Sequence, residues 1–339
     1  AAVHCVIVGF GLQDVAEKTI FEYADIKGEA LAVPVSNINP YLVDAPDLVL
    51  EKRNQPICIV PTISYGSMAN DDGHLLLDKE QRNALIAAEP ATAPYIRRYM
   101  GAQEFLNNAE RWCLWLKDIS PSLMRSSNEL RHRIEAVRKF RASSNREATR
   151  NLAATPSLFG EDRQPLKSYL LLPKVSSENR PYMPIGFMPS EVIANGSALT
   201  ISDSGHYEMG VLQSKMHMAW MRAVAGRMKS DYQYSAQIVY NNFPWPDLPE
   251  KLEPNQPQTP THKAQAAIEK AAQAVLDARA QFPGSSLADL YDPLTMPPAL
   301  LKAHQKLDAA VDAAYALVGG KKTWKNDAER VAFLFERYQ

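Results

Sequence analysis

This chain is poor in the features that mark metalloproteins, disulfide scaffolds and membrane proteins. Its three cysteines, Cys5, Cys58 and Cys113, are scattered over 339 residues and form no CxxC pair. They fit reduced thiols in a cytoplasmic protein and exclude both a disulfide framework and a zinc site. The seven histidines are equally dispersed. His217, set among Met216, Met218 and Trp220, reads as a packed helix position, so no metal site is expected. No apolar run reaches the roughly 18 residues that a membrane helix requires. The opening stretch from Ala1 to Val8 is apolar but carries no basic leader, so it is not expected to be a signal peptide. An excess of one charge is also missing, with 37 basic residues against 38 acidic ones. A net charge of −1 gives no global attraction to nucleic acid, so any such surface must be local.

Catalytic signatures are incomplete where they occur. Gly9-Phe10-Gly11 follows an apolar run but lacks the third glycine and the acidic residue of a nucleotide or S-adenosylmethionine loop. Asn37-Ile38-Asn39-Pro40-Tyr41 approaches the loop of amino-methyltransferases, whose polar oxygens accept from the target amine while an aromatic stacks on the flipped base. Here the Pro-Pro pair is missing, and a proline turn accounts for the string. Ser202-Asp203-Ser204-Gly205-His206 holds the letters of a hydrolytic triad in sequential order, whereas a triad needs spatial adjacency. No catalytic residue is assigned.

What the sequence does contain is an ordinary globular composition, 46% hydrophobic and 22% charged, over a length sufficient for two or three domains. Val3 to Val8 and Leu31 to Val35 read as buried strands. Asp78 to Ala88 and Ser127 to Phe140 read as helices, and Trp112 to Leu116 and Tyr169 to Leu172 as short buried strands. Gln213 to Ala225 is a helical pattern with Gly226 as its C-cap. Asp247 to Pro260, rich in proline and glutamine, reads as a linker. Beyond it lie amphipathic helices over Thr261 to Phe282, from Pro298 to Gly319-Gly320, and from the capping pair Asn326 and Glu329 to Tyr338. The pattern is α+β: a mixed α/β region followed by a small all-helical one.

Two stretches carry chemistry suited to DNA. Lys229, Asp231 and Gln233 are spaced by two, so an extended strand would project all three from one face and turn Tyr232 and Tyr234 to the other. Lysine donates to guanine O6 and N7, aspartate accepts from cytosine N4, and glutamine pairs with adenine. The same spacing also fits a half-buried strand whose polar face meets water. Arg131, Arg133, Arg138, Lys139, Arg141, Arg146 and Arg150 form a basic run that suits phosphates or, equally, a solvated helix face. The Ser143-Ser144-Asn145-Arg146 turn and Arg180 are further candidates for phosphate, or for turn chemistry and a surface ion pair.

The strings Met216 to Arg227, Lys229 to Ser235 and Tyr240-Asn241-Asn242-Phe243-Pro244-Trp245-Pro246 resemble the MmeI-like family of single-chain type IIL restriction-modification proteins and related DNA adenine methyltransferases. The resemblance extends to Arg111-Trp112-Cys113-Leu114-Trp115-Leu116, to Ser176-Ser177-Glu178-Asn179-Arg180 and to Leu287 through Pro298. It implies that residues 1–46 are the last strands of a methyltransferase domain, whose catalytic part would lie upstream. Residues 47–246 would be a target recognition domain, 247–260 a linker and 261–339 a helical domain closing on DNA. Lys229, Asp231 and Gln233 would contact bases. Arg131, Arg133, Arg138, Lys139, Arg141, Ser144, Asn145, Arg146 and Arg180 would be the backbone-contact candidates. Double-stranded DNA and the upstream domain would be its partners. No cofactor is expected in this chain, and S-adenosylmethionine is expected in the parent. The opening directly in a strand-like run fits a fragment of a longer protein. A reading from another class is a protein-interaction scaffold with a helical docking domain.

Overall fold

The computed structural model describes residues 6–23, 28–247 and 257–339. Near the start, Lys18–Tyr23 (β1) and Ala30–Val35 (β2) pair antiparallel, from Lys18 with Val35 to Tyr23 with Ala30. The expected strand over Leu31 to Val35 therefore forms, but it is not buried: Leu31, Phe21 and Tyr23 all face solvent. Of the expected strand over Val3 to Val8, residues 3–5 lie outside the described residues. Val6, Ile7 and Val8 are exposed and lie in no strand. An apolar run forms a buried strand only when another layer covers it, and among the described residues nothing covers this ribbon.

The next segment holds Ile63–Tyr65 (β3), Leu76–Leu77 (β4), Lys79–Ala88 (α1), Ile96–Met100 (β5), Ala102–Asn107 (α2), Trp112–Leu114 (β6), Pro121–Ser126 (α3), Asn128–Ala142 (α4) and Glu147–Asn151 (α5). Asp78 starts α1 through a reciprocal capping box with Gln81. Ser127 caps α4. The α4 terminus is sealed further by Glu89, which accepts from the Ser127 hydroxyl and from the backbone N–H groups of Asn128 (3.1 Å) and Glu129 (3.2 Å). These bonds, that from Ser127 foremost, hold the Glu89 carboxyl below its ordinary range. A carboxylate at a helix N-terminus also meets the positive end of the helix dipole. Then follow Tyr169–Pro173 (β7), Val175–Ser176 (β8), Gly186–Met188 (β9), Ile193–Ala194 (β10), Ala198–Ser202 (β11), His206–Leu212 (α6), Lys215–Val224 (α7), Gly226–Met228 (β12) and Asp231–Gln233 (β13). The chain closes with Pro260–Ala280 (α8), Leu287–Leu290 (α9), Pro298–Ala316 (α10) and Asp327–Tyr338 (α11).

Three further sheets organise these elements, in the strand orders β10-β5-β6-β4, β3-β11-β7-β9 and β12-β13-β8. Strand β7 shows why its sequence lacks alternation. Leu170 and Leu172 enter one core and Tyr169 and Leu171 another, so both faces are buried. A separate core joins Leu75, Leu77, Trp112 and Leu114 to the buried stripe of α4.

The fold is α+β, and the helical C-terminal region completes the largest core. Ile268 and Val275 of α8, Leu300, Leu307 and Val311 of α10, and Leu334 and Phe335 of α11 pack in one cluster with Trp220, Phe243 and Trp245. Helices α6 and α8 come so close at Gly210 that a Cβ there would lie 2.7 Å from the Ile268 side chain, which requires glycine. Buried polar bonds cross the same junction. The Tyr182 hydroxyl and the Lys215 N–H donate to Asp308 at 2.6 and 2.8 Å, and Tyr315 donates to the Pro244 carbonyl at 2.8 Å. The expected capping pair of α11 is half formed. Asn326 accepts from the Glu329 N–H, whereas the Glu329 carboxylate accepts from Lys325 N and Lys321.

Candidate nucleic-acid interface

Helix α7 is the platform for the β12–β13 hairpin. Ser214 caps it, and Met216, His217, Met218, Trp220, Met221 and Val224 are buried along it. The helix ends at Ala225 in extended backbone. Gly226 is therefore not its cap, as the sequence suggested, but the first residue of β12, paired with Gln233. Two bonds tie α7 to the chain beyond the hairpin: His217 Nε2 lies 2.9 Å from the Tyr234 hydroxyl, and Trp220 Nε1 donates to the Val239 carbonyl at 2.9 Å. Complete burial lowers the His217 pKa to about 3, so the imidazole is neutral. His217 is a packed helix position.

The hairpin register is Gly226 with Gln233, Arg227 with Tyr232 and Met228 with Asp231. Directly opposed residues share a face of an antiparallel pair. One face thus carries Arg227 and Tyr232, and the guanidinium lies 3.9 Å from the ring centroid, over a buried tyrosine. Arg227 also donates to the Ser230 carbonyl at 2.9 Å and pairs with Glu178 at 3.8 Å, which braces the turn. The other face carries Asp231 and Gln233, both half-exposed, together with Met228. Strand β8 completes the sheet by pairing Ser176 with Tyr232 and Val175 with Gln233. The Tyr234 N–H donates to the Lys174 carbonyl at 2.8 Å.

Lys229 stands differently from its expected place. It lies in the two-residue turn between β12 and β13, with φ +57°, and is exposed. A period of two requires extended backbone from Lys229 to Gln233, and the left-handed residue at 229 reverses the chain instead. Asp231 and Gln233 share one pleat face, while Lys229 stands outside both strands, exposed at the turn. Arg180 sits beside them. It donates to Ser176 Oγ at 3.2 Å, and burial lowers its pKa against the opposing effect of the Asp231 and Asp292 carboxylates. The Ser176 to Arg180 string, distant in sequence, is thus brought against the hairpin.

The basic run divides. Arg141 is fully buried and donates five hydrogen bonds, to the carbonyls of Ala69, Asn70, Leu152, Thr155 and Leu158 at 2.7–3.0 Å. It staples a loop to α4 and has no donor left for a phosphate, which corrects its place among the backbone-contact candidates. Arg133 is largely committed as well, to Glu129 at 2.7 Å and the His74 carbonyl at 2.9 Å. Arg131, Arg138, Lys139, Asn145 and Arg146 are exposed, and Ser144 is half-buried. Arg150 donates to the Ser144 carbonyl at 2.9 Å, and the Ser144 hydroxyl accepts from Arg146 N at 3.2 Å, shaping the turn after α4. These groups sit on the lobe built around α4 and belong to a different core from the hairpin.

The other strings are structural. Asn241 and Asn242 are buried, and their amides donate to backbone carbonyls of Arg53, Glu51, Gln237 and Ile238. Ser204 donates to the Ile201 carbonyl at 2.8 Å in a tight loop. Two residues of the hairpin escaped the sequence reading, Arg227 and Met228. Pairing residues across a two-residue turn at 229 and 230 sets Met228 opposite Asp231 and Arg227 opposite Tyr232, which places both.

The exposed hairpin face thus carries Asp231, Gln233 and Met228 above buried Tyr232 and Tyr234, with Arg180 close by. Residues 44–247 match the model of the MmeI target recognition domain, and residues 260–339 that of the MmeI C-terminal domain. The chain belongs to the MmeI family. It is 36% identical over its full 339 residues to DNA methyltransferase A of Bacillus subtilis (strain 168), of which it spans 36%. It also resembles the type IIL restriction-modification enzyme MmeI, solved in complex with DNA. That similarity has a TM-score of 0.84 and 46% identity, and covers 97% of this chain and 42% of that one. The chain thus spans less than half the length of either relative. Among the described residues, no helix is long and apolar enough to cross a membrane.

Proposed function

We propose that this chain is the sequence-specific DNA-recognition module of a restriction-modification methyltransferase that modifies adenine N6. The observation carrying this reading is the hairpin: Asp231 and Gln233 stand side by side on an open face, and Tyr232 and Tyr234 are locked beneath it. A two-stranded ribbon fits the major groove, where the Asp231 carboxylate accepts from cytosine N4 and the Gln233 amide pairs with a neighbouring base. The Lys229 amine, reaching from the turn, takes the guanine acceptors of the pair that Asp231 reads. Each such contact discriminates by roughly 1–3 kcal/mol. Arg180, Arg131, Arg138, Lys139, Ser144, Asn145 and Arg146 hold phosphates and set the register.

In this reading an upstream methyltransferase domain is the partner, acting in the cytoplasm on duplex DNA, and S-adenosylmethionine supplies the methyl group there. The residues of this chain do not fit that cofactor. Gly9 to Gly11 are followed by no helix, and the Asn39 amide oxygen accepts from the Tyr41 and Val43 N–H groups at 2.9 and 3.2 Å. This chain therefore binds and orients the duplex. The scaffold alternative is weaker because the apolar stripes of α8, α10 and α11 are occupied by the chain's own core.

Exchanging the pair, as Lys229→Glu with Asp231→Arg, should change the preferred base at one position in a selection from random duplexes. Unchanged preference would overturn the base-reading assignment. Duplex binding that is absent even at low salt would instead support the scaffold.

A further inference from the structure

Met228 is an apolar side chain on an otherwise polar reading face. It is 52% exposed. Exposure alone distinguishes it little, because Ile59, Leu166 and Leu294 are more exposed still. Its register is what singles it out. Met228 is the direct cross-strand partner of Asp231, and Arg227, the next residue back, points to the opposite face over Tyr232. The cation–π contact thus fixes independently which way Met228 points. Across the same face, Gly226 is the partner of Gln233, and a Cβ built there would still lie 3.9 Å from Gln233 Oε1. The face therefore presents a thioether beside a carboxylate, and an amide beside a gap.

The spacing decides what the thioether meets. Side chains directly opposed across an antiparallel pair stand about 5 Å apart. Stacked bases repeat every ~3.4 Å along a strand. With the cross-strand direction lying along the duplex axis, a ligand touched by Asp231 on one base pair would be touched by Met228 on the adjacent pair. The apolar atom available on a major-groove base edge is the C5-methyl group of thymine. A polarizable, flexible thioether packs well against such a group.

We propose that Met228 is a specificity-determining residue that selects thymine, through its C5-methyl group, at the base pair next to the one read by Asp231. This rests on the major-groove reading given above. Selection from random duplexes, run with the full chain and with its Met228→Ala and Met228→Leu variants, tests it. Met228→Ala loses the preference for thymine at one position adjacent to the position altered by the Lys229 and Asp231 exchange, and Met228→Leu retains it. Deoxyuridine in place of that thymine weakens binding of the unmutated chain by about fourfold, the worth of one buried methyl group, and leaves Met228→Ala unaffected. An unchanged consensus in Met228→Ala, with the exchange still shifting its own base, overturns the Met228 assignment alone. A chain that selects no consensus at all overturns the base-reading proposal together with it.

Discussion

Helix α4 and the β12–β13 hairpin are both rich in cationic groups, and the fold treats them in opposite ways. In α4 the buried stripe runs through Leu130, Ile134, Val137 and Arg141, at helical spacing, so the last of these must face inward. Its guanidinium is surrounded by carbonyl oxygens. In the hairpin, Arg227 lies on an aromatic ring and Lys229 stands clear at the turn. Charges held inside bear on stability, whereas under the proposed function those outside bear on salt dependence and DNA sequence. Counting basic residues along the chain cannot separate the two. Periodicity separates them.

The largest expected effect breaks the interior side of that contrast. Arg141→Ala leaves five carbonyls without their donor, and each buried unsatisfied group costs about 1–3 kcal/mol before any relaxation. With water entering to satisfy some of them, a net loss of about 3–5 kcal/mol is expected, read as a fall in the urea midpoint. Arg138→Ala and Lys139→Ala, one turn away and exposed, should change stability by less than about 0.5 kcal/mol. Equal losses at all three sites would erase the distinction.

A second interior charge sharpens it through pH. Burial pushes the Asp308 carboxyl up to about 6, despite the Tyr182 and Lys215 bonds that oppose the shift. A carboxyl whose folded pKa lies above its unfolded value contributes stability that is whole below about pH 4 and lost as pH rises through about 6. Asp308→Asn keeps an acceptor and cannot ionise. Stability of the variant minus that of the parent should therefore rise between pH 4 and 6 and level off above, by about 2–3 kcal/mol in total. His217 acts in the opposite sense. Its depressed pKa gives stability present above about pH 6.5 and lost as pH falls toward 3, and it cancels from that difference. A flat difference curve would mean that the Asp308 carboxyl is not held in its neutral form by burial.

Much of this contrast was legible beforehand, and the misses have common physical causes. Helices α1, α4, α10 and α11 follow from apolar periodicity with Asp78, Ser127, Pro298 and Asn326 at their starts, and α8 follows likewise, though its cap, Thr259, lies inside the stretch expected as a linker. The family strings marked the hairpin and the Ser176 to Arg180 segment, which lie together in space. The turn at Lys229 is hidden in the sequence because any residue other than glycine, asparagine or aspartate is uncommon at positive φ. Gly226 reads as a helix cap from sequence because glycine serves caps and strand starts alike. The burial of Arg141 was readable, since it extends the stripe of Leu130, Ile134 and Val137, but a count of charges hides spacing. The exposure of β2 was not readable, because an apolar strand carries no mark of whether anything covers it.

On the exterior side, the α4 cations provide a graded test. If Arg138 and Lys139 each neutralise a phosphate, alanine at either site weakens binding to every duplex alike. It also lowers the slope of log affinity against log salt by about 0.9 for each charge removed. The hairpin substitutions change sequence preference instead, with little change in slope for Asp231 or Gln233. A change in base preference from Arg138→Ala would place α4 at the base edges and reverse the division of labour between the two regions.

The smallest effect is the most diagnostic, because stability and recognition should move in opposite directions. Lys229 holds φ +57°, where a side chain costs about 1 kcal/mol and a hairpin turn favours glycine at its first central position. Lys229→Gly should therefore stabilise the chain by up to about 1 kcal/mol, less the entropy that glycine gains when unfolded. The same substitution removes the amine that the proposed function assigns to the guanine of the pair read by Asp231. The expected outcome is a slightly higher urea midpoint together with loss of discrimination at the base pair that Asp231 reads. A lysine kept only for solubility would give the first result without the second. A lysine that serves only to shape the turn would lower the midpoint when replaced. The two measurements on one variant thus decide whether the unfavourable backbone at position 229 is tolerated for recognition.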